Sequence, residues 1–409
     1  MFTTRRDFLK TSLGTSALCS LGPAVPAFLS RSALAAAPRQ DDGHTILVVV
    51  QMAGGNDGLN TVVPYEDDEY ARRRPTLRWA AKEVHKIDSL LGFHPRMQAF
   101  MRLYQEGHLS IVQGVGYPNP NGDHAAAMRD WQTARPHQPD CQTGWLGRAI
   151  DHACHPGEAN TPGVFVGQIA QPFGLNTEKA VVPSIKNLEQ CMLTPEFDSA
   201  GPAQRTRTGD DNPLLDFLRL SARTAHADSR RIEAAANAPT AEYPPLPLAQ
   251  SLKTVAQLIR AELGIRIFHT ELGGNGPGGF DNHANQRGNH GALLSQLSES
   301  VAAFVDDLKR DKLLDRVLLI TFSEFGRTVA ENGRHGTGHG SAAPVFLAGG
   351  RLKGRLIGAH PALTELENGG QKFHTDFRRV YATVLDRWLG MDSSAILGEK
   401  FDTLDVLEA

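Results

Sequence analysis

Three short, mainly apolar runs constrain the fold of this chain more than any other feature. They are the segments Thr45–Gln51, Leu109–Val115 and Val317–Phe322, and each is followed at once by glycine and polar residues. Continuous apolar runs of this length are typical of strands buried on both faces of a parallel sheet. Amphipathic stretches such as Gly92–Glu106 and Leu248–Leu263 predict helices between them. The alternation predicts an α/β fold, with a central, mostly parallel sheet flanked by helices on both faces.

The amino terminus is predicted to be an export signal rather than part of the fold. Thr4–Lys10 has the paired arginines, the hydrophobic pair and the following lysine of a twin-arginine signal. Glycines and prolines interrupt the apolar segment 11–29, so we expect no stable membrane span in the mature chain. Cleavage is expected at or near Ala35, which makes residues 1–35 the signal peptide. The twin-arginine translocase would then export the folded chain, which predicts a periplasmic or secreted protein.

Composition indicates an ordinary globular chain. It has 409 residues, a formal charge of −3 and no dense basic cluster, so we expect no nucleic-acid partner. Residues 36–409 are predicted to form a single domain, with a helical and loop insertion around residues 199–262. Cysteines Cys141, Cys154 and Cys191 remain after cleavage, and Cys141 with Cys154 is the expected pair if one disulfide forms.

Polar residues follow the first two predicted strands. Asn56 and Asp57 come after the first strand, and ligands of open α/β sheets bind outside the carboxyl ends of strands. A purely structural turn is the alternative for this pair. Asp123 and His124 open a predicted helix, whose free N–H groups favour an anion. Asp123 could also simply cap that helix.

The densest group of titratable residues lies between residues 278 and 339. Asp281 and His283 are two positions apart after a glycine-rich loop, so in an extended segment their side chains point the same way. Glu324 follows the strand 317–322, and a salt bridge with Arg327 is the alternative to a role on a metal. His339 belongs to HGTGHG, which its alternating glycines predict to be a loop.

These residues suggest a metal site with catalytic groups beside it. Mixed carboxylate and imidazole donors suit zinc, manganese or iron better than calcium or magnesium, so we expect a divalent metal, with zinc or manganese preferred. The candidate ligands are Asp57, Asp281, His283, Glu324 and His339. The candidate catalytic residues are Asp123, His124, Asn56 and Arg327, of which the last three would stabilise an anion or relay protons.

Several motifs carry a resemblance to a known family. They include GGNDGLN, GYPNPN, GGFDNHANQ, SEFGRTVAEN and TDFRRVYATVL. The chain resembles the exported family catalogued as domain of unknown function 1501, over nearly the whole mature region, and more distantly the alkaline phosphatase and sulfatase superfamily. The resemblance implies an alkaline-phosphatase-like sheet with metal ligands at strand ends. Where that superfamily implies a serine or threonine nucleophile, this chain has Asp123, and Glu324 replaces the expected Asp–His pair, which leaves one metal or two open.

Two hypotheses of function follow. The first is an exported metal-dependent hydrolase of phosphate or sulfate esters, in which the metal activates water and polarises a small anionic ester. The second is a catalytically silent exported binding or assembly protein that holds an anionic ligand in the same cleft. Asp123 favours the second hypothesis, because a carboxylate cannot form the usual phospho- or sulfo-ester intermediate.

Overall fold

The computed structural model describes residues 45–153, 163–192, 213–273 and 279–408, without the side chains of 213–224. The described strands are β1 (Ile46–Met52), β2 (Val62–Val63), β3 (His85–Lys86), β4 (Gly92–Phe93), β5 (Leu109–Gly116), β6 (Gly163–Val166), β7 (Ser184–Ile185), β8 (Ile267–Leu272), β9 (Val317–Phe322), β10 (Arg327–Glu331), β11 (Thr337–His339), β12 (Ala343–Gly349), β13 (Leu356–Ile357), β14 (Leu366–Glu367), β15 (Gly370–Gln371) and β16 (Thr375–Asp376).

Ten α-helices are described between these strands. They are α1 (Gly58–Thr61), α2 (Asp68–Arg73), α3 (Gln98–Glu106), α4 (His124–Thr133), α5 (Trp145–Ala153), α6 (Pro213–Asn237), α7 (Pro247–Arg260), α8 (Gln286–Arg310), α9 (Phe377–Ala382) and α10 (Ser393–Leu397). Short 3-10 helices cover Phe173–Leu175, Leu188–Cys191 and Leu314–Arg316, and a π-helix covers Thr383–Leu389. No helix among the described residues combines the length and apolar character needed to span a membrane.

A nine-stranded sheet forms the centre of the protein. Its order is β13-β5-β12-β9-β1-β8-β6-β7, and β16 also pairs with β5. Strand β1 is parallel to both β8 and β9, whereas β12 is antiparallel to both of its neighbours, β5 and β9. Strands β1, β5, β8 and β9 therefore run in one direction, and their carboxyl ends lie along the same edge. The predicted α/β fold with a mostly parallel sheet is confirmed.

Helices cover both faces of this sheet. Along β1, Val48 and Val50 are buried in a core with residues of α3, α7 and α8. Leu47 and Val49, on the opposite face of the strand, are buried in a second core with residues of α4, α5 and α9. Side chains of a strand alternate between faces, so an uninterrupted apolar run supplies both cores.

The local predictions succeed best where burial is complete. Strand β9 covers the residues predicted from the apolar run 317–322. The helix predicted over 92–106 begins later, at Gln98, because Gly92–Phe93 pairs as β4 between β2 and β3. The loop predicted over residues 335–340 is wrong in part, since β11 pairs antiparallel with β10. Gly338 suits this strand because a Cβ there would lie 3.1 Å from the Thr328 side chain.

Two helices, α6 and α7, occupy most of the region predicted as an insertion. Leu248, Leu252 and Val255 of α7 are fully buried in the same core as β1. This part of the region therefore packs on the sheet through a continuous apolar face. The predicted signal peptide, the segment 199–212 and the Cys154 half of the predicted disulfide lie outside the described residues.

Candidate metal centre

Four side chains converge beyond the carboxyl ends of the parallel strands. His124 opens α4 after β5, Asp281 and His283 follow β8, and His339 ends β11. The Asp281 Oδ1 atom lies 2.9 Å from His283 Nε2, 3.3 Å from His124 Nε2 and 3.4 Å from His339 Nε2. Ligand atoms of His124, Asp281 and His339 all lie within 4.8 Å of one another. The structure thus brings together three of the predicted ligands with His124, which the sequence suggested for proton relay.

In His339 and His124, the ring nitrogen that faces away from Asp281, Nδ1, lies at hydrogen-bond distance from an acceptor. We call Nδ1 the outer nitrogen and Nε2 the inner nitrogen of each ring. His339 Nδ1 lies 2.6 Å from the carbonyl oxygen of Gly122, which can only accept, so Nδ1 carries the proton and Nε2 keeps its lone pair. His124 Nδ1 lies 2.9 Å from Glu324 Oε1. Metal-ligating histidines in proteins are oriented in this way, by a carbonyl or carboxylate on the nitrogen that does not bind the metal.

The inner nitrogen of His124, Nε2, is buried and lacks an ordinary hydrogen-bond partner. His283 Nε2 lies 2.9 Å from both His339 Nε2 and Asp281 Oδ1, and a single proton on it can satisfy only one of these acceptors. An unpaired buried polar atom costs free energy, and a shared cation would satisfy it. The donor set of three imidazoles and one carboxylate fits zinc or manganese.

Glu324 faces His124 rather than the centre of this group. Its side chain is buried, and it accepts from the backbone N–H of Gly54 at 2.8 Å and from the Ser323 hydroxyl at 3.0 Å, in addition to His124. Hydrogen bonding to Glu324 raises the pKa of His124, and the charges of Glu324 and Asp281 add to that effect. Glu324 therefore fixes the His124 ring.

Arg327 organises the loops around Asp281. Its buried guanidinium donates to the carbonyl oxygens of Gly55 (2.8 Å), Phe280 (3.0 Å) and Thr337 (3.3 Å) and to Asp281 Oδ1 (2.7 Å). Partial burial opposes ionisation of Asp281, but the hydrogen bond and charge of Arg327 lower its pKa overall. Arg327 pairs with Asp281, so the salt bridge with Glu324 considered from the sequence is not the arrangement described.

Asp57 and Asn56 lie in a separate buried network. Asp57 accepts from Arg74 Nη1 at 2.5 Å and from the Gln286 amide, and Asn56 Oδ1 lies 3.0 Å from His290 Nε2. Burial opposes ionisation of Asp57, but the adjacent Arg74 charge lowers its pKa overall. Arg74 could not be singled out from the sequence, because an arginine near the end of a polar helix is usually exposed. Gln286 stands three positions after His283 in a motif already singled out.

Asp123 caps α4. Its side chain is exposed and accepts from the backbone N–H of Ala126 at 3.0 Å. Ser, Thr, Asp and Asn are the usual residues at this position because their side-chain oxygens satisfy free N–H groups of the first turn. The capping interpretation offered from the sequence therefore describes this contact, and a catalytic role for Asp123 stays a prediction.

Comparison with known proteins identifies the family. The family model described as a protein of unknown function, DUF1501, matches residues 44–399. This chain belongs to the DUF1501 family. No functionally curated protein matches its sequence.

Solved structures with a similar fold include phosphate- and sulfate-related proteins. The zinc complex of the C-terminal periplasmic domain of EcEptC from Escherichia coli is 11% identical, with a TM-score of 0.39 over 80% of this chain and 76% of that one. PsFucS1 sulfatase from Pseudoalteromonas sp. is 10% identical, with a TM-score of 0.38 over 99% and 75%. A magnesium-bound TAB5 alkaline phosphatase variant is 10% identical, with a TM-score of 0.35 over 75% and 90%.

The neighbours thus include a sulfatase and an alkaline phosphatase, as the resemblance in sequence implied. Because the three TM-scores lie below 0.5, we argue the chemistry of this DUF1501 chain from its own residues.

Proposed function

We propose that this DUF1501 protein is an exported metal-dependent hydrolase of phosphate or sulfate esters. The observation that carries the proposal is the convergence of three imidazole Nε2 atoms on Asp281 Oδ1, with the outer nitrogens of His124 and His339 already held. A zinc or manganese ion in such a site supplies a Lewis acid that activates water and polarises an ester.

The four converging side chains, His124, Asp281, His283 and His339, would hold the metal. Glu324 keeps the proton of His124 on Nδ1, and Arg327 holds Asp281, so both act on the ligands from outside. Asp57 belongs to the network of Arg74 and Gln286, which both bind its Oδ2 atom, and it would likewise act outside the metal's coordination.

The exposed side of the group is the expected entry for a small anionic ester. The Asp281 side chain is 43% exposed and the His283 side chain 37% exposed, whereas Glu324 behind His124 is buried. Asp123 lies exposed one residue before His124, where its carboxylate is the candidate general base. A metal that activates water directly would need no serine or threonine nucleophile.

Export rests on the paired arginines Arg5 and Arg6. We propose that the twin-arginine translocase carries the folded chain to the periplasm or outside the cell, and that the metal is bound before export. Replacing both arginines by lysine and following cleavage and location of the chain tests this step. Unchanged export of the Arg5→Lys, Arg6→Lys variant would contradict it.

Metal content and turnover test the proposed function together. Purified protein is expected to contain one zinc or manganese per chain and to hydrolyse at least one member of a panel of phosphate and sulfate esters. Asp281→Ala and His283→Ala should each lower metal affinity and turnover by at least about 100-fold, because each removes a ligand. His152→Ala, an exposed histidine at the end of α5, is the control. Absence of bound metal, or turnover unchanged in both ligand variants, would overturn the proposal.

A second candidate is an exported binding or assembly protein that uses the same site for an anionic ligand. The capping contact of Asp123 favours it, because that contact occupies the carboxylate that the first proposal assigns to catalysis. Thermal shift with phosphate, sulfate and divalent metals separates the two, since a ligand that binds only the folded state raises its stability. A ligand-dependent shift without turnover supports the second candidate, and turnover that depends on Asp281 supports the first.

A further inference from the structure

His283 and His339 belong to separate segments of the chain. The contacts between these two segments therefore determine the distance between the two imidazole rings. His283 precedes α8 and His339 ends β11, yet their Nε2 atoms lie 2.9 Å apart. Three backbone hydrogen bonds join the segments: Asn285 N donates to Arg334 O at 3.0 Å, Gln286 N donates to His335 O at 2.9 Å, and Thr337 N donates to Asn282 O at 3.1 Å. These bonds involve no side chain.

Two side chains add to these bonds: Asn332 Nδ2 donates to the carbonyl oxygen of His283 at 3.0 Å, and Gln286 makes the buried connection. Gln286 is the first residue of α8 and is 1% exposed. Its Oε1 accepts from the Thr337 hydroxyl at 2.7 Å, and its Nε2 donates to Asp57 Oδ2. A carboxylate only accepts, so the amide nitrogen has to face Asp57 and the amide oxygen has to face Thr337. Thr337 lies two positions before His339, on the same face of β11.

Arg74 anchors the other end of this chain of contacts. Its fully buried guanidinium binds Asp57 at 2.5 Å and donates to the backbone carbonyls of Thr328 (2.8 Å) and Val329 (2.9 Å) in β10. Strand β10 pairs with β11, where His339 faces Arg327. Arg74, Asp57, Gln286 and Thr337 therefore connect both strands of the hairpin to the start of α8 through buried contacts. The contacts of Asp57 with Arg74 and Gln286 are charge-assisted and so stronger than the neutral contact of Gln286 with Thr337.

We propose that Gln286 is a positioning residue that sets the separation of the His283 and His339 rings, and through it the affinity and geometry of the metal site. Asp57 and Arg74 hold Gln286 in place. The inference rests on the metal site of the proposed function but not on ester hydrolysis.

Gln286→Met tests the role because methionine has a similar length and makes neither hydrogen bond. Gln257→Met is the matched control, since Gln257 is a buried α7 glutamine whose amide donates to Ala236 O, outside the metal group. Zinc affinity is measured by chelator competition, and coordination geometry by the visible spectrum of the cobalt-substituted protein. Gln286→Met is expected to lose about 10–100-fold in zinc affinity and to change the cobalt spectrum. Gln257→Met is expected to keep both at wild-type values.

Thr337→Val and Thr337→Ser serve if Gln286→Met fails to fold. Valine removes the hydroxyl and should reproduce the loss, whereas serine keeps it and should restore wild-type zinc affinity. Wild-type affinity and spectrum in folded Gln286→Met, or in folded Thr337→Val, would overturn the inference.

A wild-type protein that binds no metal would overturn the proposed function without deciding this inference by itself. Imidazole ¹H–¹⁵N spectra of the metal-free protein then decide it. Gln286→Met should shift the His283 and His339 ring signals and leave that of exposed His152 in place. Unshifted His283 and His339 signals would overturn the positioning role.

Discussion

Glu324 is an anion enclosed by donors. The Gly54 N–H, the Ser323 hydroxyl and His124 Nδ1 share its two oxygens, and these hydrogen bonds offset the cost of burying the carboxylate. The same contacts make Glu324 the group that selects the protonated nitrogen of His124, and leave the other nitrogen free for a metal.

The Glu324→Gln variant tests whether metal binding by His124 depends on the Glu324 carboxylate. The amide oxygen can still accept from His124 Nδ1, but the neutral amide removes the negative charge that strengthens this hydrogen bond. We expect zinc affinity to fall about 10–100-fold, as for other residues that orient a metal ligand. Chelator competition measures the affinity, with Glu299→Gln on the exposed face of α8 as the control. Equal affinity in Glu324→Gln and wild type would show that His124 needs no orienting carboxylate.

Glu271 predicts a pH dependence of stability. It is partly buried near the end of β8, its Oε2 atom has no hydrogen-bond partner, and burial raises its pKa to about 7. A raised pKa means that the folded state keeps a proton that the unfolded state has lost. The stability that Glu271 contributes is therefore complete below the unfolded pKa of about 4.3 and is lost as pH rises through about 7.

The Glu271→Gln variant removes that titration. Its melting temperature relative to wild type should increase between pH 5 and pH 8 by about 1–3 °C, a modest shift because the side chain is partly solvated. Thermal unfolding in a chelator, which removes any metal contribution, measures it. A difference between variant and wild type that stays constant over this range would contradict the assignment.

Among the helices, α8 contacts the α6–α7 region through the buried carboxylate of Asp307. Asp307 is fully buried, accepts from the Ala241 N–H (2.7 Å) and the Tyr243 hydroxyl (3.0 Å), and forms ion pairs with Arg260 (2.6 Å) and Arg310 (2.9 Å). Helix α7, the segment between α6 and α7, and α8 therefore meet at a single anion. Helix α8 also begins beside His283, so this contact stabilises the element that follows the metal group.

Asp307→Asn should destabilise the protein. The change removes one of the two counter-charges of Arg260, the other being Asp311, and leaves one oxygen fewer for the buried donors around the site, a loss of about 1–3 kcal/mol. The neighbouring Asp306→Asn is the control, because Asp306 is 40% exposed and its pair with Arg102 is worth about 0–1 kcal/mol. Urea unfolding of the metal-free proteins measures both. Similar losses in the two variants would refute a special role for Asp307.

The elements differ in how far the sequence predicts them. Strand β9 is predicted residue for residue, because an apolar run that is buried on both faces leaves few alternatives. Strand β11 is not predicted, because Gly338 and the flanking glycines lower strand propensity and its pairing depends on β10, which approaches it closely. The apolar pattern of the sequence therefore predicts a strand that is buried on both faces. It does not predict a strand that forms only because a neighbouring strand pairs with it.

In the whole molecule, the same distinction separates the parts of the candidate site. Asp281, His283 and His339 could be grouped from the sequence because they follow strand ends and glycine-rich loops. Asp57 follows a strand end as well, yet its partner is Arg74, whose burial depends on the backbone of β10. Local spacing in the sequence holds no information on a contact between such distant residues. A carboxylate that would bind a metal therefore cannot be distinguished from one that binds a buried arginine until the fold is known.

The central place of β1 has a consequence for synthesis. Strand β1 leaves the ribosome before the other described strands, but in the sheet it lies between β8 and β9. Thr45, just before it, donates to the carbonyl oxygen of Trp388, 343 positions later. At the usual speed of translation that stretch takes roughly 20–70 seconds to make. For much of this time β1 is an apolar strand with two open edges, the form most prone to pair with other chains. The nascent chain therefore has to be protected from aggregation until its last helices are free.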